Sequence, residues 1–364
     1  MTKNKAIIIL SGYNPRAILA FIRICKRYSI PFYVIANGNN DQILRTLYYE
    51  NVAYIRENPD LSNLLDITIK IMLDNSLDEV FFLPSTEYLN RYLVEYHYTF
   101  QKYNIHVPLV DKKLYERISD KYSFRKLCLE NNIPVTKQYS GFTDIIFPCV
   151  LKPKNYRSYS GKPIVIKTKD DFPKEFDDNV WFIEEYISGD SYYLLYYFKK
   201  DGTYLSFSQK NIIQQPNGGS VIFACSTNLH YEVICRKYAD LFQKEEFTGL
   251  VMIEIKEKDG QYILIEANPR LWGPSQLFVD AGIRFFEEYI TDMGFNVSDE
   301  GINKQQSVTY YFWEGGFPQD LADIRYYSYD EDSLIRDYSK IHKFEIYNRS
   351  DTKALYEKNR CLNE

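Results

Sequence analysis

The chain has 364 residues, of which 45% are hydrophobic and 26% charged, and its formal net charge is −5. This length allows two or three domains, and the composition is that of a globular protein rather than a disordered or fibrous one. The small net charge favours neither a nucleic acid nor a membrane surface as partner. The six cysteines are scattered and the four histidines isolated, so we expect free thiols, no zinc site and a cytoplasmic protein.

Strands and helices alternate in the first 108 residues. Apolar runs predict strands at 6–10, 31–36, 52–55 and 79–83, and amphipathic segments predict helices at 16–28, 61–74 and 84–98. This alternation predicts a small parallel α/β domain. Ligands of such sheets bind beyond the carboxyl ends of the strands, which indicates the loops at 11–15 and 84–87. The first loop lacks the G-x-G-x-x-G fingerprint of a dinucleotide site.

After Pro108 the pattern changes to short, closely spaced strands, which is typical of mostly antiparallel sheets. The expected helices are 111–118, 121–131, 232–243 and 280–293, and the expected strands are 147–153, 164–167, 180–187, 192–198, 203–213, 220–225 and 307–313. We therefore expect an N-terminal α/β domain (1–108), a second domain (109–294), and a C-terminal segment (295–364) that packs on the second domain and whose structure and role the sequence does not specify.

The most informative segment consists of two apolar runs on either side of residues 258–260, which predict a β-hairpin. Each run contains one carboxylate, Glu254 or Glu266. Asn268 lies two residues beyond Glu266 and therefore on the same face, and Arg270 follows two residues later. Two carboxylates and an amide oxygen beside a guanidinium suit Mg²⁺ that holds nucleotide phosphates. A hairpin with surface glutamates is the alternative.

The metal interpretation requires a particular strand register. A tight two-residue turn at 259–260 would shift the pairing by one and place Glu254 and Glu266 on opposite faces. We therefore expect a three- or five-residue loop, or a bulge, rather than the simple turn that Asp-Gly suggests. The same register would place Ile255 opposite Ile265.

Four motifs follow one another along the chain: residues 120–122 with 131–135, residues 147–153, residues 182–189 and residues 264–270. In this order they resemble the D-K…G-I-P-x-P segment, the P-x-V-x-K-P strand, the adenine hinge and the E-x-N-P-R metal motif of the ATP-grasp superfamily, in its carboxylate–amine ligase and carbamoyl-phosphate-synthase-like branch. The resemblance covers roughly half of the chain, about 111–293. It implies a two-lobed ATP-grasp fold with antiparallel sheets and a mobile lid at about 145–188.

The resemblance also implies nucleotide contacts. Lys121 and Lys152 would bind the phosphates, and residues 155–161 would close over them. Glu184 would accept a hydrogen bond from the adenine amino group. The main chain of the next three residues would bind the ring edge: Glu185, Tyr186 and Ile187.

Two nucleotide contacts stay open at this stage. The position that usually carries an acid for the ribose hydroxyls is Ser191, so either Ser191 or the preceding Asp190 is the candidate. Lys210 is a further candidate for a phosphate contact, with an exposed strand lysine as the alternative.

The metal motif implies the remaining roles. Glu254, Glu266 and Asn268 would hold one or two Mg²⁺ ions, with Mn²⁺ as a compatible substitute. Arg270, with Lys152, would act in catalysis by neutralising charge on the transferred phosphoryl group.

The implied activity is that of an ATP-dependent, ADP-forming ligase. A carboxylate would attack the γ-phosphate to form an acyl phosphate, and an amine would then displace phosphate. The substrates would be small molecules (an amino acid, a peptide or a sugar acid) bound between the N-terminal domain and residues 272–275, and a homodimer is compatible with the sequence. The alternatives are an ATP-binding sensor or assembly subunit without ligase activity, and a kinase-like or carboxylating enzyme with another acceptor.

Overall fold

The computed structural model describes residues 3–58, 60–156, 163–298, 308–318 and 324–361. The first sheet is parallel, with the strand order β3-β2-β1-β4-β5. Its strands are β1 (Lys5–Leu10), β2 (Phe32–Ala36), β3 (Val52–Ile55), β4 (Glu79–Phe82) and β5 (Ile105–His106). Four helices connect and cover them: α1 (Pro15–Arg27), α2 (Leu64–Asp74), α3 (Glu87–Glu95) and α4 (His97–Gln101).

This sheet confirms the predicted parallel N-terminal unit and adds the short strand β5. The predicted helix at 84–98 is wrong in its bounds, because α3 begins after Thr86, whose side chain caps the helix by accepting from the Leu89 N–H, and a second helix follows at His97. In this order β2 lies on one side of β1 and β4 lies on the other side. The loops after β1 and β4 therefore lie at the point where the strand order reverses.

The second sheet is small and antiparallel, with the order β6-β9-β7-β8. We call it the lid sheet. Its strands are β6 (Gln138–Tyr139), β7 (Cys149–Pro153), β8 (Ile164–Ile166) and β9 (Trp181–Glu185), and the helices that precede it are α5 (Lys112–Ser119) and α6 (Lys121–Glu130). It has an apolar core of its own, formed by Tyr139, Cys149, Leu151, Ile166 and Ile183.

The third sheet, the central sheet, has the order β14-β13-β10-β11-β12-β15, and β16 also pairs with β11. Its strands are β10 (Ser191–Phe198), β11 (Tyr204–Gln214), β12 (Val221–Thr227), β13 (Gly249–Lys258), β14 (Gln261–Asn268), β15 (Tyr310–Phe312) and β16 (Arg325–Tyr326). The remaining helices are α7 (Val233–Lys244), α8 (Gln276–Asp280), α9 (Phe285–Asp292), α10 (Glu331–Ile341) and α11 (Lys353–Cys361). The C-terminal segment thus contributes two strands to this sheet.

Both faces of the central sheet are buried. Tyr193, Leu195 and Tyr197 pack with α1, α8 and α9, whereas the alternate residues of β10 pack with α6 and α7. Burial on both faces accounts for the nearly continuous apolar sequence of β10. The mixed parallel and antiparallel architecture is the predicted fold class. Among the described residues, no helix combines the length and apolar character needed to cross a lipid bilayer.

The predicted single helix at 280–293 is wrong, because α8 and α9 are separate. Gly282 lies between them with a φ of 74°, which is in the left-handed region and therefore interrupts a right-handed helix. The Ile283 N–H there donates to the Phe278 carbonyl at 2.9 Å and closes α8.

A bulge sets the register of the hairpin formed by β13 and β14. Glu254 lies opposite Glu266, as expected, but Ile255 lies opposite Leu264 and not Ile265. The turn is the tight one, because Lys258 pairs with Gln261, and the two residues between them have φ values of 51° and 74°. The predicted wider loop is therefore wrong and the alternative, a bulge, is correct, with Ile265 as the extra residue.

Candidate active site

A cleft of about 560 Å³ separates the lid sheet from the central sheet. Lys152 and Glu184 line it from the lid, and Glu254 and Glu266 line it from the hairpin. The C-terminal segment closes one end through Ile324, Arg325 and Tyr327. A smaller cavity of about 220 Å³, between β5 and α9, contains none of the predicted site residues.

Three of the four residues of the predicted metal motif are connected by hydrogen bonds beside this cleft, and the fourth, Glu254, lies opposite Glu266 in the hairpin. The Asn268 amide donates to Glu266 Oε1 at 2.7 Å, and Arg270 Nη2 donates to Asn268 Oδ1 at 3.1 Å. Glu254 accepts from the Ser191 hydroxyl at 3.0 Å. Among the described residues, no group of three or more His, Cys, Asp or Glu side chains has metal-binding geometry. Two carboxylates and an amide leave several Mg²⁺ positions for phosphate oxygens and water, which fits a metal that arrives with a nucleotide.

Lys121 drives the pKa values of the two facing, buried carboxylates apart. Desolvation, together with the nearby Glu266 charge, raises the pKa of Glu254. Desolvation would also raise the pKa of Glu266, but the charge and hydrogen bond of Lys121 outweigh it and lower that pKa. Two carboxylates held this close favour a bound cation between them.

Lys121 is the residue that balances Glu266. It opens helix α6, and its ammonium donates to Glu266 Oε2. Burial opposes its charge, but the Glu266 carboxylate raises its pKa overall. The preceding Asp120 accepts from Arg91 Nη2 at 2.6 Å and from the Tyr156 N–H at 3.2 Å. Tyr156 belongs to the predicted phosphate-covering loop at 155–161. Except for Asn155 and Tyr156, this loop lies outside the described residues.

Lys152 reaches from the lid sheet to the hairpin. Its ammonium donates to the Ile265 carbonyl at 2.7 Å and forms an ion pair with Glu184, and both side chains are almost fully buried. Glu184 also accepts from the Thr136 hydroxyl at 2.6 Å. The structure thus brings Lys152 and Glu184, predicted for phosphate and adenine, into direct contact with each other.

The predicted adenine hinge follows β9 along the edge of the cleft. Glu185 forms an ion pair with Lys258, and the Ile187 carbonyl accepts from Lys256 at 3.3 Å. The Tyr186 hydroxyl accepts from Arg325. Gly189 ends the hinge, where an added Cβ would lie 1.5 Å from the Glu257 carbonyl oxygen, so only glycine permits the hinge to approach β13 this closely.

The predicted ribose and auxiliary phosphate residues have other partners. Ser191 donates to Glu254 and accepts from Asn211 at 2.8 Å. Asp190 accepts from Lys210 at 2.6 Å and from Ser328 at 2.9 Å. Lys210 lies opposite Tyr192, whereas Glu254 lies opposite Tyr193, so the two side chains occupy opposite faces of the sheet. The structure therefore does not bring Lys210 to the metal motif.

Lys256, Arg325 and Tyr327 also line the cleft, and the sequence prediction did not include them. Lys256 lies two residues beyond Glu254, so the alternation that selected Asn268 could also have selected it. Burial, aided by the Arg325 charge and opposed by Glu254, lowers the pKa of Lys256 to about 8. Arg325 lies in the two-residue strand β16 and Tyr327 follows it, and the local sequence did not indicate that either residue lines the cleft.

The fold and the cleft define a two-lobed nucleotide-binding protein. Residues 118–274 match the model of the ATP-grasp domain family. This segment is therefore an ATP-grasp domain, as the motifs indicated. A search of curated protein sequences found no match.

Solved structures share the fold at low sequence identity. The biotin carboxylase of Campylobacter jejuni, in a β,γ-ATP complex, has a TM-score of 0.63 and 15% identity, over 84% of this chain and 74% of that chain. The biotin carboxylase domain of Hydrogenobacter thermophilus 2-oxoglutarate carboxylase, with MgADP and bicarbonate, has a TM-score of 0.60 and 13% identity, over 85% and 73%. The N5-carboxyaminoimidazole ribonucleotide synthetase of Thermotoga maritima has a TM-score of 0.54 and 16% identity, over 83% and 78%.

Proposed function

We propose that the protein is an ATP-dependent, ADP-forming ligase that joins a carboxylate to an amine through an acyl phosphate. The observation that carries this proposal is the shared face of the hairpin, where Glu254, Glu266 and Asn268 lie together beside Arg270, with Lys121 on the second carboxylate. Oxygen ligands of this kind suit Mg²⁺, and a neighbouring guanidinium suits the charge of a phosphoryl group in transfer.

Mg-ATP would occupy the cleft between the lid sheet and the central sheet. Glu254, Glu266 and Asn268 would hold one or two Mg²⁺ ions, which when bound would neutralise and orient the phosphates. Lys121 and Lys152 would donate to phosphate oxygens, and the hinge at 185–187 would bind the adenine. The relatives of known structure that contain MgADP or an ATP analogue support this placement through their common fold.

The reaction would proceed in two displacements. A carboxylate oxygen attacks the γ-phosphorus, the bond between this phosphorus and the ADP oxygen breaks, and an acyl phosphate and ADP result. The amine nitrogen then attacks the acyl carbon, loses a proton, and expels phosphate. Neither displacement requires a protein nucleophile. The lid must exclude water, because water would hydrolyse the acyl phosphate.

The carboxylate substrate would enter beside the N-terminal sheet. Asn14 Nδ2 donates to the carbonyls of Ser85 at 3.2 Å and Leu271 at 3.3 Å. The loops after β1 and β4 therefore contact the segment that follows Arg270. This position supports a functional unit made of residues 1–108 and 109–294, with 295–364 packed on it.

An ATP-dependent phosphate-release screen tests the proposal. Purified protein with Mg-ATP is offered pairs of carboxylates and amines, including amino acids, short peptides and sugar acids, and products are identified by mass. We also include bicarbonate, because the similar structures are carboxylases. Formation of an amide with equimolar ADP and phosphate is the expected result. Tight Mg-ATP binding without turnover for any pair would instead favour a sensor, and a carboxylated product would assign the protein to the carboxylating class.

A further inference from the structure

Lys256 is a buried cation at the hinge end of the cleft. It follows Glu254 by two residues on β13 and therefore projects from the same face of the central sheet. Only 9% of the residue is exposed. Its Nζ donates to the Ile187 carbonyl at 3.3 Å, which places the ammonium beside the hinge rather than beside the metal motif.

The charge of Lys256 is poorly compensated by its neighbours. Among the described residues, no carboxylate lies within 4.0 Å of its Nζ, whereas Lys121 and Lys152 each form an ion pair in the cleft. The rings of Tyr186 and Tyr327 lie 5.8 and 5.6 Å from its Nζ. A buried ammonium with one long hydrogen bond has unused donor capacity, and it is stabilised when a ligand offers an acceptor atom.

The side chains that surround Lys256 are held in place by the C-terminal segment. The guanidinium of Arg325 lies 5.2 Å from the Tyr186 ring and 5.0 Å from the Tyr327 ring. Its Nη2 donates to the Ser188 carbonyl at 2.8 Å, and the Tyr327 hydroxyl donates to Gln214 Oε1 at 2.7 Å. These contacts fix Arg325 and Tyr327 beside Lys256 and so limit the conformations of the Lys256 side chain.

The two residues considered for the ribose contact are already engaged with protein partners. Asp190 is bound by Lys210 and Ser328, and Ser191 donates its hydroxyl to Glu254. The hydrogen-bond donor at the hinge end of the cleft is instead Lys256. A nucleoside presents acceptors to such a donor, because the purine ring nitrogens carry lone pairs and the ribose hydroxyl oxygens accept hydrogen bonds.

We propose that Lys256 binds the nucleoside half of the nucleotide by donating a hydrogen bond from Nζ to a purine ring nitrogen or a ribose oxygen. This inference rests on the proposed function, since it requires Mg-ATP in the cleft. It assigns the phosphates to Lys121 and Lys152 and the nucleoside to Lys256. Lys121 and Lys152 on the one hand and Lys256 on the other should therefore have separable effects on ligands that contain or lack a nucleoside.

Calorimetric titration of the full chain with Mg-ATP and with Mg-tripolyphosphate, which has no nucleoside, tests this separation. We expect Lys256→Met to weaken Mg-ATP binding by about 10-fold, which corresponds to about 1.4 kcal/mol, and to leave tripolyphosphate binding unchanged. The control Lys244→Met, an exposed residue at the end of α7, should change neither. Unchanged Mg-ATP affinity in folded Lys256→Met, or an equal loss for both ligands, would overturn the inference.

A second measurement relies on the wild-type protein, with Lys256→Met as an additional check. The wild-type protein is titrated with ATP analogues that lack N1, N3, N7, the 2′-hydroxyl or the 3′-hydroxyl. At least one should bind more weakly, and the loss should disappear in Lys256→Met if that atom is the acceptor. Equal affinity for all the analogues would overturn the inference alone. A wild-type protein that binds no Mg-ATP would overturn the proposed function and this inference with it.

Discussion

The ammonium of Lys152 donates a 2.7 Å hydrogen bond to the main-chain carbonyl of Ile265, the extra residue of the hairpin bulge. A bulged residue is left out of regular ladder pairing, so its carbonyl is available to a side chain. The bulge thus has two effects: it restores the pairing of Glu254 with Glu266 after a tight turn, and it gives the lid sheet a contact with the metal motif. Because Lys152 also forms an ion pair with the buried Glu184, we expect nucleotide binding to depend on both residues.

We expect Lys152→Met to impair both nucleotide binding and stability. Loss of the ammonium should weaken Mg-ATP binding by at least about 10-fold. It also leaves Glu184 buried without its cation, which should destabilise the lid sheet by about 3 kcal/mol. Calorimetry measures the affinity, and denaturant unfolding measures the stability.

The double variant Lys152→Met/Glu184→Gln separates these two effects. It removes the uncompensated carboxylate, so most of the lost stability should return while nucleotide affinity stays low. Recovery of full affinity in the double variant would contradict a phosphate contact by Lys152.

Glu266→Gln should abolish ADP formation, with a loss of at least about 100-fold, or about 2.7 kcal/mol of activation free energy. The amide keeps the shape of the side chain but lacks the charge that a metal ion and Lys121 require. The measurement is coupled ADP release with a substrate pair from the screen. Glu257→Gln, one residue from Lys256 and on the other face of β13, is the matched control and should retain activity. Full turnover in a folded Glu266→Gln protein would refute the metal assignment.

Ser191→Ala should act through Glu254 and not through the ribose. The variant removes the 3.0 Å hydrogen bond to that carboxylate, so the rate of ADP formation should fall by roughly 10-fold. The dissociation constant of Mg-ATP should change by less than about 3-fold, since the hydroxyl already has its partners. Parallel titration with Mg-dATP distinguishes the two roles: a ribose contact would make the variant lose its preference between ATP and dATP.

The sequence predicted those parts of the site that depend on short-range patterns. Alternation along β14 places Glu266 and Asn268 on one face, and the apolar runs predicted both strands of the hairpin. The sequence of the hairpin could not decide between a wide loop and a bulge. Lys152, which binds the Ile265 carbonyl of the bulge, lies 113 residues away in the chain. Local patterns do not encode a partner at that distance.

Sheet order caused the other differences. Whether Lys210 shares a face with Glu254 depends on the registers of β11 and β13 against β10, which no single strand reveals. Arg325 belongs to a two-residue strand that pairs with β11, too short to produce a periodic signal. Arg325 was therefore missed because long-range pairing positions it, whereas the alternation along β13 could have identified Lys256.

Glu345 should make the folded protein less stable as the pH rises from about 5 to about 7. Its carboxylate is almost fully buried near Glu314, and desolvation raises its pKa to about 7, although the N–H groups of Tyr347 and Asn348 donate to it at 2.6 Å. Between the unfolded pKa of 4.5 and the folded value, the folded state binds more protons, so the free energy of unfolding falls with rising pH, by on the order of 3 kcal/mol.

Glu345→Gln stays neutral, so its stability should not depend on this ionisation. Thermal unfolding between pH 4.5 and 8 should show the variant gaining stability relative to wild type as pH rises, whereas exposed Glu57→Gln should follow the wild-type curve. Parallel curves for wild type and Glu345→Gln would show that folding does not raise the pKa of this carboxyl.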